Sequence, residues 1–183
     1  MKILAFSALH GQRPTAETVT LYPDSSVITT RKPLFLPDWS DTFATQAALA
    51  VRVSRLGKHI APRFAHRYWD AATICLVTTS ASDERHDALS QAFDGAIALG
   101  EWVETQHLAN MLLDVRLNDE RWLLPSLPVE DLVHEAITAA SERMTIKMGD
   151  VFCLKLGEPK VIAIGDTVNG LLNEQEVLTI KIK

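Results

Sequence analysis

Cysteine is scarce in this sequence, which has only two among its 183 residues, Cys75 and Cys153. Each lies in an apolar, strand-like run, so we expect buried free thiols and a reducing, cytoplasmic location rather than a disulfide framework. Two cysteines this far apart also do not make a structural zinc site, which needs more ligands at closer spacing.

Long apolar runs and an excess of basic charge are missing as well. No window approaches the roughly 20 apolar residues that a membrane-spanning helix needs. The N-terminal MKILAFSALHGQ predicts a first strand rather than a signal peptide, because no small-residue cleavage site follows its short apolar run. The 18 basic residues against 23 acidic ones give a formal charge of −5. We therefore expect neither a nucleic acid nor a membrane as partner.

The composition that is present is typical of one globular domain. Apolar residues make up 47% of the chain and charged residues 22%, which suits a folded protein with a sizeable core. The sequence shows no repeat, no low-complexity tract and no long linker. It predicts a single domain, with residues 1–36 leading into a core of residues 37–183.

Strand patterns outnumber helix patterns, so the predicted fold class is α/β in the mixed, β-rich (α+β) sense. The predicted strands are 2–6, 46–54, 71–79, 110–119, 151–156, 160–164 and 176–182. Helices are predicted at 61–71, from Ser82 onward and at 128–144. We expect a loop at 10–26, a hairpin-like region around Arg31 and Lys32, and turns at 94–95, 165–166 and 169–170.

One stretch, FATQAALAVRVSRLG at residues 43–57, has an unusual face. As a strand it places an apolar series, from Ala47 to Val53, on one side. The other side begins with Gln46 and Ala48, which are neither charged like a surface nor bulky like a core. The side chains of residues i and i+2 lie on the same face of a strand and can meet at one site. Here those side chains are an amide, at Gln46, and a methyl group, at Ala48.

The charged clusters do not add up to a catalytic site by themselves. Asp83 and Asp87 share a face of the predicted helix and could form half of a metal site, but a solvated helix N-terminus explains them equally well, and we favour that interpretation. His134 lacks the second histidine of a zinc helix motif. No serine lies in a nucleophile elbow, and no glycine-rich loop is suited to a phosphate.

Four segments, in order, resemble the fumarylacetoacetate hydrolase family. They are the stretch 37–79 with RLGK and FAHRYWD, AFDGAIALGEW at 92–102, MGDVF at 148–152, and IGDTVNGLLNEQEVLTIKIK at 164–183. The resemblance implies a rolled mixed β-sheet with few helices, a homodimer, and small carboxylic acids as ligands. Active members hold Mg²⁺ or Mn²⁺, which polarises a substrate oxygen while dioxo-acids are cleaved, decarboxylated or isomerised.

The resemblance also assigns positions to the family's metal ligands. Its paired glutamates fall on Gln46 and Ala48, and its aspartate falls on Val77. All three carboxylates are therefore missing from this chain. Without them a hard dication has no suitable ligand set, so we expect no metal cofactor.

Other family positions that lie near the substrate differ too. His10 lies near the N-terminal loop whose histidine takes part in acid–base chemistry in the family. The family's arginine and aspartate are replaced at Ala81 and Ser82, and its lysine is replaced at Gln91. Its small loop residues are replaced at Leu154 and Lys155.

Two hypotheses follow. The first is a family protein that has lost the metal chemistry and has a binding or regulatory role. The alternative is a divergent hydrolase, isomerase or decarboxylase that acts on acylpyruvates or oxaloacetate by an altered or metal-free mechanism. It would use His10, Gln91, Gln46, Asp94 or a cysteine, and it predicts that the former metal cleft remains open and polar.

Overall fold

The computed structural model describes residues 1–81, 88–105, 107–108 and 111–183. The predicted helix start at Ser82 and the pair Asp83 and Asp87 lie outside these residues. Within them, in chain order, the strands are β1 (Lys2–Ser7), β2 (Val19–Pro23), β3 (Val27–Thr29), β4 (Phe43–Val53), β5 (Trp69–Ser80), β6 (Ile97–Leu99), β7 (Val103–Glu104), β8 (Leu113–Leu117), β9 (Glu120–Trp122), β10 (Val151–Lys155), β11 (Lys160–Ile162), β12 (Thr167–Leu172) and β13 (Gln175–Lys181). The α-helices are α1 (Ala88–Gln91) and α2 (Val129–Arg143).

Most of these strands form one large mixed sheet. Its order is β2-β1-β10-β4-β5-β6-β3, with β11 added beside β4 and β7 beside β5. The pairs β1–β10 and β3–β6 are parallel, and the other pairs are antiparallel. A second sheet has the order β13-β12-β8-β9. This curled, strand-rich architecture with few helices confirms the predicted fold class.

The larger hydrophobic core fills the space between the two sheets and helix α2. From β4 it takes the apolar series Ala47, Leu49, Val51 and Val53, all fully buried, as the alternation predicts. The apolar stripe of α2, which includes Val133 and Ile137, packs into the same core. The prediction of a helix at 128–144 is therefore confirmed.

Two local predictions in the first half of the chain are wrong because strand pairing extends further than the local pattern indicates. The predicted helix at 61–71 is a 3-10 helix only at Pro62–Arg67, and β5 already begins at Trp69, which pairs with Val53 of β4. The predicted loop at 10–26 contains β2, whose VTLYP segment pairs with β1.

A predicted hairpin and a predicted turn are also wrong. The hairpin around Arg31 and Lys32 does not form, because β3 pairs in parallel with β6 and Leu34 bridges Ile182, both distant in sequence. The predicted turn at 169–170 lies inside β12, where a side chain at Gly170 would crowd Ile74. No helix in the described part of the chain is long and apolar enough to cross a membrane.

Candidate functional site

Strands β4 and β5 bring the three positions of interest side by side. Gln46 lies directly opposite Val77, and Ala48 lies directly opposite Cys75. Because alternate residues of a strand share a face, Gln46, Ala48 and Val77 all belong to the face of the sheet away from the larger core. We refer to this as the site face.

The site face is mostly apolar, with small side chains along β4 and larger ones on β2 and β6. Its buried cluster includes Ala48, Ala50, Cys75, Val77 and Cys153, and partly buried hydrophobic residues, Phe93 among them, pack against it. Ala48 is 2% exposed and Val77 is 1% exposed. The open, polar cleft expected under the metal-free enzyme hypothesis is therefore not found at these two positions.

Gln46 differs from its two neighbours because it is only partly buried. Its Nε2 donates a hydrogen bond of 3.3 Å to the carbonyl oxygen of Gly157, which lies in the turn after β10. An amide nitrogen carries two protons, so this bond leaves the second N–H of Gln46 for another acceptor.

Lys155, identified from the sequence only as a replaced loop residue, is the last residue of β10. It lies directly opposite Ala48 on one side and opposite Ser7 of β1 on the other. Burial lowers the pKa of the Lys155 ammonium, and the nearby Cys153 thiol opposes this effect. The signal was present in VFCLK, where a lysine stands at an inward-facing position of an apolar strand.

The two thiols on the site face are buried free cysteines, as predicted. The Cys75 thiol interacts with the Cys153 thiol, and this hydrogen bond together with burial raises the pKa of Cys75 well above its ordinary value. Burial likewise raises the pKa of the Tyr22 hydroxyl on the same face. Because the thiolate is the reactive form of cysteine, the raised pKa of Cys75 disfavours this residue as a nucleophile.

His10 and Gln91 lie in different surroundings. His10 is 78% exposed, and its Nε2 lies 3.3 Å from Oε1 of Glu158. Both residues line a cavity of about 360 Å³ whose other walls include Leu124 and Leu156. Gln91 ends the short helix α1, which packs against β5, and is partly buried, while Asp94 lies exposed in the turn that follows.

The residues at the three positions do not suit Mg²⁺ or Mn²⁺. Hard cations take about six oxygen ligands, with carboxylates prominent among them. Gln46 offers one neutral oxygen, Ala48 and Val77 offer none, and the ammonium of Lys155 stands in the row of Ala48. Across the described ranges, histidine, cysteine, aspartate and glutamate form no group of three or more that could hold a metal ion.

One family model matches most of the chain. The family model "Fumarylacetoacetate (FAA) hydrolase C-terminal" matches residues 5–177. No curated protein matches the sequence.

Three solved structures illustrate the likeness in fold. The fumarylpyruvate hydrolase of Pseudomonas aeruginosa, in complex with Mn²⁺ and pyruvate, has a TM-score of 0.85 at 12% identity, covering 100% of this chain and 89% of that one. The 5-carboxymethyl-2-hydroxymuconate delta-isomerase of Mycobacterium smegmatis has a TM-score of 0.82 at 21% identity, covering 99% and 78%. The maleylpyruvate hydrolase of Sphingobium sp. SYK-6, in complex with Mn²⁺ and pyruvate, has a TM-score of 0.81 at 17% identity, covering 99% and 69%. At these identities the likeness shows a shared fold, not a shared activity.

Proposed function

The chain belongs to the fumarylacetoacetate hydrolase family, and from this premise we propose that it binds a small carboxylic acid without divalent-cation chemistry. The observation that carries the proposal is the set of side chains at Gln46, Ala48 and Val77. These positions, adjacent on two paired strands, offer one amide oxygen in total. The homodimer and the cytoplasmic location that the sequence predicts are part of the same proposal.

Electrostatics supports this proposal. A site with three carboxylates attracts a dication, whereas this one has no carboxylate at the three positions and a lysine in the row of Ala48. At short range an ammonium repels a dication and attracts an anion. The same location therefore favours the carboxylate of a ligand over a metal ion.

The chemistry of related structures suggests which acids to test. The fumarylpyruvate hydrolase and the maleylpyruvate hydrolase each hold pyruvate together with Mn²⁺. Pyruvate and oxaloacetate are therefore reasonable probes for this chain, and the proposal requires that they bind in the absence of a metal ion.

Two measurements on the purified chain test the proposal. Isothermal titration calorimetry in excess EDTA measures the binding of pyruvate and oxaloacetate, and we expect saturable binding. A turnover assay with oxaloacetate and an acylpyruvate, with and without added Mg²⁺, is expected to show no metal-dependent rate. Magnesium-dependent turnover of either compound would contradict the proposal.

A metal-free enzyme is the second candidate, and one observation favours it. The His10 imidazole lies 3.3 Å from the Glu158 carboxylate beside a cavity, and such a pair can act in general acid–base catalysis. This candidate predicts a decarboxylation, hydrolysis or isomerisation rate in EDTA that His10→Asn reduces by about a hundredfold. A rate equal to the uncatalysed one would exclude it for the acid tested.

A further inference from the structure

Strand β10 ends at Lys155, whose side chain lies on the site face of the large sheet. Val151 and Cys153 belong to the buried cluster of that face, and the alternation of the strand places Lys155 there as well. Unlike these two residues, Lys155 is only partly buried, so its ammonium lies at the rim of the cluster rather than inside it.

The strand register shows which groups surround this lysine. Ser7, Lys155, Ala48 and Cys75 form one row across β1, β10, β4 and β5. Residues directly opposite each other in an antiparallel pair, such as Lys155 and Ala48, have Cβ atoms about 5 Å apart. Gln46 lies two positions from Ala48 and is tied to Gly157, two residues beyond Lys155. The row of Lys155 therefore contains a hydroxyl side chain and a methyl side chain, and an amide side chain stands two positions away along β4.

No carboxylate within the described part of the chain pairs with Lys155. Burial and the Cys153 thiol are the influences that act on the charge of its side chain. Two other partly buried cations have acidic partners: Lys2 pairs with Asp150, and Arg52 pairs with Asp70 and Glu104. A third, Lys160, lies over the ring of Trp122. Removing a cation from water without an anion is unfavourable, so the fold carries at Lys155 a charge that an external anion would compensate.

We infer that Lys155 is the ligand-binding cation of this chain and that its ammonium holds the carboxylate of a 2-oxo acid at the rim of the site face. The inference rests on the proposed function, because it names the binding group and the ligand class of the same site. The carboxylate pairs with Lys155, and the Ser7 hydroxyl and the second N–H of Gln46 offer neutral donors for the adjacent oxo oxygen. Ala48 and Val77 are almost fully buried, so the ligand lies outside the packed cluster.

The test measures pyruvate binding by calorimetry in EDTA with the full chain. Lys155→Met keeps the length of the side chain and removes the charge, and Lys181→Met does the same at an exposed strand position of the second sheet. We expect Lys155→Met to weaken binding by about tenfold or more, and Lys181→Met to leave it within about twofold of the wild type. Equal affinity of Lys155→Met and wild type would overturn the inference.

Two further comparisons separate the charge from the shape of the side chain and of the ligand. Lys155→Arg keeps the charge, so it is expected to bind pyruvate more tightly than Lys155→Met does; equal loss in both variants would contradict a role for the charge. Propionate, which lacks the oxo group, is expected to bind more weakly than pyruvate. Equal affinity for the two acids would contradict the assignment to 2-oxo acids.

The outcomes also separate this inference from the proposed function. A wild-type protein that binds neither pyruvate nor oxaloacetate in EDTA would overturn the proposed binding role, and the inference with it. A wild-type protein that binds pyruvate, with an affinity that Lys155→Met does not change, would overturn only the role of Lys155.

Discussion

The two faces of the large sheet differ in the size and polarity of their side chains. On the core face, β4, β5 and β10 contribute large residues such as Leu49, Leu76 and Leu154. On the site face the same three strands contribute Ala48, Cys75 and Cys153, with Gln46 and Lys155 at the rim. Because side chains alternate along a strand, each strand contributes a large core residue next to a small or polar site residue.

The same strands therefore contribute to stability through one face and carry the candidate ligand-binding groups on the other. The core face contributes most of the apolar burial, which stabilises the fold in proportion to the area removed from water. The site face places a charge where the fold gains little from it. Polar groups that a fold does not need are expected at functional sites, so substitutions on the two faces should differ in their effect on stability.

The largest expected effect comes from the core face. Leu49→Ala removes a fully buried side chain from the larger core and should lower the free energy of unfolding by about 2–5 kcal/mol. Cys75→Ala, one strand away on the site face, should lower it by only about 1 kcal/mol. Urea denaturation followed by circular dichroism measures both values. Equal losses in the free energy of unfolding would mean that the two faces contribute equally to stability, which would contradict the difference between them.

A second prediction contrasts the two ends of β10. Asp150, immediately before the strand, is almost fully buried and accepts hydrogen bonds from Lys2 Nζ at 2.6 Å, Lys2 N at 2.9 Å and Lys147 N at 2.8 Å. Lys155, at the other end, has no such partners among the residues that the structure describes. Asp150→Asn should therefore lower the free energy of unfolding by about 2 kcal/mol, since three hydrogen-bond donors lose a charged acceptor.

The pH dependence of this effect provides a check. Burial alone would raise the pKa of Asp150, but the hydrogen bonds from Lys2 and Lys147 outweigh it and leave the pKa below its ordinary value. The stabilisation is thus present above the unfolded-state pKa of about 3.9 and is lost as the pH falls through the lower folded-state value. The difference between wild type and Asp150→Asn should shrink below about pH 4, and a difference that stayed constant there would contradict the assignment.

The smallest expected change in stability is at Lys155 itself. Because its ammonium is partly buried without an anion, Lys155→Met should leave the free energy of unfolding unchanged or raise it by up to about 1 kcal/mol. Lys181→Met, at an exposed position, should change it by less than about 0.5 kcal/mol. Thermal unfolding without ligand measures this, and a clear destabilisation by Lys155→Met would indicate a structural rather than a ligand-binding lysine.

Those parts of the fold that depend on local periodicity could be predicted from the sequence. The alternation of β4, the apolar run of β5 and the stripe of α2 each show in the residues themselves. The parallel pairs β1–β10 and β3–β6 could not be predicted, because their partners are more than 60 residues apart. The partners of β2 and of Trp69 are nearer in sequence, but there the local pattern favours a loop and a helix over the strands that form.

The candidate site, like the fold, could be predicted only in part from the sequence. The positions Gln46, Ala48 and Val77 came from a resemblance, and the register of β4 and β5 shows that they are neighbours. Lys155 was seen only as a replaced loop residue. Its place beside Ala48 depends on the pairing of β10 with β4, which joins residues that are about 100 positions apart in the chain.

The central claim is that this family member replaces the chemistry of a dication with that of a lysine, and calorimetric titration with Mn²⁺ tests it most directly. We predict no binding heat for the wild type. A variant carrying Gln46→Glu, Ala48→Glu and Val77→Asp should bind Mn²⁺, and more tightly once Lys155→Met removes the competing ammonium. Circular dichroism of each variant verifies that it is folded. Tight, stoichiometric binding of Mn²⁺ by the wild type would contradict the claim.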